Sequence, residues 1–122
     1  MLVAAQPSRQ NGAVRSPDVA WINSERWNAL SESEQERFAP LCPDFVIEVR
    51  SKTDSIIYLQ NKMQEYMANG CRLAWLIDRY GKKVYIYEPG CAIIEHSGFD
   101  IQLSGEQVFP GFVLNLGEIG NF

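Results

Sequence analysis

Apolar and polar positions along the chain repeat with two different periods, and the switches between them outline most of its elements. Phe45, Ile47 and Val49 alternate with Asp44, Val46, Glu48 and Arg50, the period-two pattern of a strand with two distinct faces. Beyond it, Ile56, Leu59, Met63, Tyr66 and Met67 form one stripe at helical spacing. Gly70 supplies a left-handed stop, so a helix capped by Thr53 or Asp54 is predicted to run to Asn69. Leu73-Ala74-Trp75-Leu76-Ile77 is almost continuously apolar, as a strand covered on both faces is. Asp78-Arg79-Tyr80-Gly81 reads as a turn into an antiparallel return strand, Lys82 to Tyr87, followed by a Pro89-Gly90 turn.

The flanking regions carry weaker patterns. Pro17 lacks a ladder donor and suits a strand start, so Asp18-Val19-Ala20-Trp21-Ile22 reads as a short strand opening on a carboxylate. Asn23 or Ser24 can cap a helical turn. Ser31 and Glu34 have capping-box spacing, which predicts a short acidic helix around 32–37, ended by Pro40 and Pro43. Cys91 to Ile94 and Phe99 to Leu103 suggest a further small β element, and Gln107 to Leu114 an irregular apolar segment. Residues 1–16 show no apolar period and are expected to be a tail or the remnant of a hairpin.

With 122 residues, 46% of them hydrophobic and 21% charged, the expectation is one folded domain, 1–122. No apolar run approaches the roughly 18–20 residues of a membrane span, and Met1 to Arg9 lacks the layout of a secretory signal, so the cytoplasm is the expected compartment. Cys42, Cys71 and Cys91 form no C-x-x-C pair, which argues against structural zinc or a disulfide framework. His96 is the only histidine. Zinc-hydrolase motifs with paired histidines are thereby excluded, and its setting before Gly98 suits a surface residue at a strand end. The net charge of −4 is unevenly spread: Arg50 to Lys83 holds seven bases and three acids, a local +4, and the rest is −8. A polyanion would have to meet one face or be bridged by metal ions.

Among the charged residues, an acid at the start of one strand (Asp18), an acid inside the next (Glu48) and a lysine on the helix (Lys62) are the types that metal-assisted phosphodiester hydrolysis requires. Oxygen ligands hold a hard cation, and an ammonium answers charge building on the phosphate. Asp44 and Glu48, four strand residues apart, are separated by roughly 13 Å and cannot share one ion on a regular strand. If the two Pro-Asp strands are antiparallel neighbours, Asp18 lies opposite Glu48 to Arg50, which makes Asp18 and Glu48 the better pair. Lys62 and Tyr66 share a helix face. The competing structural reading makes Glu48 the ion-pair partner of Arg50 or Lys62, and Tyr66 a core residue.

The run Pro43-Asp44-Phe45-Val46-Ile47-Glu48-Val49-Arg50-Ser51-Lys52-Thr53-Asp54, then Lys62 to Tyr66, Gly70 and Trp75-Leu76-Ile77-Asp78, resembles the Uma-type family of restriction endonucleases, a family greatly expanded in cyanobacteria. Gly12 to Trp21 matches that family's first Pro-Asp strand, and the resemblance extends from about Gly12 to Leu116. It implies a PD-(D/E)XK fold of the α/β (α+β) class, a mixed β-sheet flanked by helices, with Mg²⁺- or Mn²⁺-dependent cleavage of DNA. It also implies residue roles: Asp18 and Glu48 as metal ligands, Asp44 as an additional acid, and Lys62 as the displaced counterpart of the motif lysine. Arg50 stands where the general motif has lysine. Relatives carry about one more helix and a hairpin before the first Pro-Asp strand, so the fold is expected to be N-terminally shortened, with an exposed sheet edge that invites a second copy. Two functions follow as alternatives: a metal-dependent endonuclease, or a non-catalytic nuclease-fold domain for nucleic-acid or protein interaction.

Overall fold

The computed structural model describes residues 2–4, 8–10, 13–15, 18–37 and 43–119. Its centre is a six-stranded mixed sheet in the order β1-β4-β5-β6-β7-β8. These strands are β1 (Leu2–Ala4), β4 (Val19–Trp21), β5 (Phe45–Val49), β6 (Leu73–Asp78), β7 (Lys83–Tyr87) and β8 (Ile94–Ser97). Only β5 and β6 pair in parallel; every other neighbouring pair is antiparallel. A parallel pair cannot be closed by a tight turn, and here α3 (Ile56–Ala68) makes the crossover.

The alternation seen in β5 becomes a division between two cores. Val46, with Ala20, Ala74 and Leu76, faces α3 and meets Leu59, Met63 and Tyr66 of its stripe. Phe45 and Ile47 face the other way, with Trp21, Leu73, Trp75 and Ile77, and are covered by the C-terminal segment through Leu103, Val108 and Leu116. The residues predicted to be irregular, 107–114, thus form the second lid. Phe109 and Phe112 stack with their ring centroids 5.1 Å apart, Phe109 also stacks on Trp21, and Phe112 meets Phe45 and Trp75. A small ribbon of β9 (Gln102–Ser104) and β10 (Val113–Asn115) frames this lid, and α4 (Leu116–Ile119) follows it.

Several expectations are corrected in detail. Residues expected as a tail or hairpin remnant include β1, which pairs with β4 at the sheet edge, and a separate hairpin of β2 (Ser8–Gln10) and β3 (Ala13–Arg15). Three-residue strands are too short to show a period. The helix cap is Ser55, whose Oγ accepts from the Tyr58 N–H; it is neither Thr53 nor Asp54. Asp54 is committed elsewhere, accepting from the Ser51 N–H at 3.0 Å and the Ser51 hydroxyl at 2.6 Å. Between β4 and β5 lie α1 (Ser24–Asn28), capped by Asn23, and α2 (Glu32–Arg37), the expected acidic helix with its Ser31 and Glu34 capping box in place. Gly70 is left-handed at φ +99°, as the stop after α3 requires. Cys71 is buried, Cys91 and His96 are exposed, and Cys42 lies outside the described residues.

Candidate active site

Antiparallel pairing of β4 with β5 sets Val19 opposite Ile47. The same register carried one residue further brings Asp18 level with Glu48. The Asp18 carboxylate accepts a 2.7 Å hydrogen bond from the Val49 N–H, which fixes it at the carboxyl end of β5. Glu48 points to the α3 side and is 3% exposed. An acid in that position needs compensation, since an unpaired buried charge costs several kcal/mol, on the order of the chain's whole stability margin.

α3 supplies the compensation from the face that also packs the core. Lys62 Nζ lies 3.0 Å from Glu48 Oε1, and the Tyr66 hydroxyl donates to the same oxygen at 3.2 Å. Lys62 and Tyr66 are one turn apart, so a single helix rotation places both. Burial pushes the Glu48 carboxyl above its ordinary 4.5. The Lys62 charge and hydrogen bond pull it back, the Asp18 carboxylate pushes it further up, and the Tyr66 hydroxyl lowers it. The two neighbouring carboxylates favour an added cation, and the Lys62 ammonium offsets part of that attraction.

The structure separates Asp44 from this group, correcting its expected place as an additional acid there. Asp44 sits buried at the opposite end of β5, accepts the Asn23 N–H at 2.7 Å, and forms an ion pair with Arg26. Its backbone carbonyl also accepts from Arg72 and Leu73, so it joins α1 to the start of β6. Arg50 does not pair with Glu48 either. Its Nη1 lies 3.2 Å from both oxygens of Asp78, and its Nε donates to the Asp54 carbonyl at 3.0 Å.

Asp78, expected in a turn and at the end of the Trp75-Leu76-Ile77-Asp78 run, closes β6 and braces the turn that follows. Its Oδ1 accepts the N–H groups of Tyr80 and Gly81 at 3.0 and 2.9 Å, an Asx-type closure of the β6–β7 turn. A Cβ on Gly81 would lie 2.5 Å from Asp78 Oδ2, so any other residue there would displace the carboxylate that closes the turn. The D-x-x-G spacing was the signal available for it.

Among the described residues no group of three or more His, Cys, Asp or Glu side chains could hold a metal ion. The donor set at the carboxyl end of β5 is two carboxylates, Asp18 and Glu48. That set fits Mg²⁺, which keeps several waters and takes one or two carboxylates together with substrate phosphates. It does not fit a closed tetrahedral zinc site. Both neighbours of Glu48 fall on Oε1, and an ionised carboxylate offers about four acceptor positions, so its capacity is not spent.

Comparison with known proteins agrees with this architecture. A putative nuclease belonging to DUF820 from Anabaena variabilis ATCC 29413, known as a crystal structure, superposes with a TM-score of 0.80 at 17% sequence identity. The match covers 97% of this chain and 66% of that one, so the chain spans just under two thirds of that protein's length. At this identity the likeness establishes the fold. No curated protein shows significant similarity. No helix among the described residues is long and apolar enough to cross a membrane. The Uma2 family, described as putative restriction endonuclease, matches residues 3–117, and the chain belongs to that family.

Proposed function

We propose that residues 1–122 act as one nuclease-like domain that hydrolyses DNA phosphodiester bonds with Mg²⁺ or Mn²⁺, in the cytoplasm. The observation that carries this reading is the convergence of Asp18, Glu48 and Lys62 from three elements at the carboxyl end of β5. Family membership and the nuclease-like fold support it.

In this reading Asp18 and Glu48 hold the cation, and a bound Mg²⁺ supplies Lewis acidity and charge neutralisation at the phosphate. The residues of the chain do the rest. The Val49 N–H fixes the Asp18 carboxylate, and the Tyr66 hydroxyl fixes Glu48. Lys62, 10% exposed, keeps an ammonium at the site without a large ordering cost, since Glu48 already immobilises it. Its N–H donors can orient an attacking water and answer negative charge developing on the phosphoryl oxygens. As the water oxygen bonds to phosphorus, the P–O bond to the leaving sugar oxygen breaks; the water's proton passes to solvent and the leaving oxygen takes one from solvent.

The test is nicking of supercoiled plasmid with Mg²⁺ and with Mn²⁺ by wild type and Glu48→Gln, together with a metal titration followed by melting temperature. Glu48→Gln keeps the shape of the side chain and removes its charge. It should abolish metal-dependent nicking and the metal-induced rise in melting temperature while retaining a cooperative unfolding transition. Nicking by the variant at the wild-type rate would reject the assignment. A wild type that neither nicks nor responds to either metal would make the Glu48–Lys62 pair structural and the domain non-catalytic.

A further inference from the structure

The β6–β7 turn adjoins this site. β5 and β6 are in parallel register, with Glu48 opposite Leu76, so Asp78 lies two residues further toward the carboxyl ends and on the same face. The turn is braced from within by Asp78, which holds the Tyr80 and Gly81 N–H groups on one side and Arg50 on the other. It presents an aromatic ring outside both cores. Tyr80 is 50% exposed and belongs to neither core.

Two guanidinium groups accompany that ring: the Arg50 and Arg79 Cζ atoms lie 5.7 and 5.6 Å from its centroid. Their commitments differ. Arg50 is neutralised by Asp78, as Lys62 is by Glu48 and Lys83 by Glu95. Among the described residues no carboxylate pairs with Arg79, whose Nε is buried without a hydrogen-bond partner. Lys82 follows it with its ammonium over the Phe99 ring, again with no ion-pair partner among the described residues. Of the four bases in the 50–83 segment with no ion-pair partner among the described residues, Arg79 and Lys82 lie on this turn, and Lys52 and Arg72 lie elsewhere.

A half-exposed ring flanked by cations, at the rim of the proposed site for phosphodiesters, matches the way proteins hold single nucleic-acid strands: aromatic faces for bases and basic groups for backbone. A base paired inside a duplex keeps its faces stacked on its neighbours, so an unpaired base offers a ring its face at the least cost. We propose that the β6–β7 turn contacts the nucleic-acid strand, Tyr80 stacking on an unpaired base and Arg79 taking the neighbouring phosphate, so that the substrate presents a single-stranded or frayed segment. This rests on the nuclease reading for what counts as substrate, but the binding contact stands without it.

The experiment measures binding of the 122-residue chain, in EDTA, to labelled oligothymidylate, to an abasic strand of equal length and to a blunt duplex, by fluorescence anisotropy. Tyr80→Ala should weaken oligothymidylate binding about 5- to 150-fold and leave the abasic strand unaffected, with Tyr80→Trp restoring the loss. Arg79→Gln should lower the salt dependence of binding by about 0.7 in log–log slope. Tyr80→Ala should lose no more stability than the two cation–π contacts supply, about 1–2 kcal/mol, since the ring packs in neither core. Equal oligothymidylate binding by wild type and Tyr80→Ala, or equal loss on the abasic strand, would overturn the stacking contact. Tyr80-dependent binding by a protein that never nicks DNA would overturn the nuclease reading alone. Nicking by a protein whose binding ignores Tyr80 would overturn this inference alone.

Discussion

Lys62→Met keeps the aliphatic stem and deletes an ammonium that lies 3.0 Å from a carboxylate only 4% exposed. Breaking a buried pair from one side typically costs about 3–5 kcal/mol. The loss here has a ceiling, because the stranded Glu48 can take up a proton instead of remaining charged. From an ordinary value of 4.5, protonation costs about 3.4 kcal/mol at pH 7 and about 0.7 kcal/mol at pH 5. The variant should therefore lose about 3 kcal/mol at pH 7 and less than about 1 kcal/mol at pH 5. The direction follows from linkage. A carboxyl whose folded value is raised binds its proton more tightly in the native chain, so its contribution is intact below 4.5 and lost as pH rises through the folded value. In wild type burial already raises Glu48, so the same trend exists in shallower form. Urea unfolding at the two pH values, followed by tryptophan fluorescence with Trp75 buried as reporter, measures the difference. Lys62→Met combined with Glu48→Gln should recover most of the loss at pH 7. An equal deficit at both pH values would refute the reasoning, since the ceiling set by protonation is what makes the cost pH-dependent.

Two further variants separate structure from chemistry. Asp44→Ala leaves the Asn23 N–H without its acceptor and removes the Arg26 ion pair, and should cost about 1–3 kcal/mol in urea unfolding, yet leave any Mg²⁺-induced rise in melting temperature unchanged; a lost metal response would return Asp44 to the site. Tyr87 carries a buried hydroxyl with no hydrogen-bond partner among the described residues, and burial pushes its phenol up to about 12. Tyr87→Phe removes a group whose desolvation nothing offsets, so the melting temperature should hold or rise, and a loss above about 1 kcal/mol would mean that the hydroxyl has an acceptor after all.

What could be read from the sequence divides along physical lines. β5 and α3 were legible because each is long enough for its period to repeat and each divides its neighbours cleanly between two faces. The pairing of Asp18 with Glu48 followed from strand geometry once β4 and β5 were taken as antiparallel neighbours. β1, β2 and β3 were not legible, because three residues hold no period and their pairing is decided by partners distant in the chain. The Thr53-Asp54-Ser55 run contains three capping types in succession; Ser51 settles the choice by claiming Asp54, a local contest that spacing alone cannot resolve. The same holds for Arg50, which alternation placed correctly on the Glu48 face but which Asp78, on the neighbouring strand, draws away.

Lys62 occupies a helix whose rotation is already determined by Leu59, Met63 and Tyr66 against the sheet. Each residue added within a helix turns everything beyond it by about 100°. A single insertion early in α3 would therefore swing Lys62 and the apolar stripe away together, whereas one in the exposed part of the 51–55 connection could be absorbed. The site and the core share one angular coordinate, so single-residue insertion scanning should find no position in the first turns of α3 that spoils the ion pair and spares the fold.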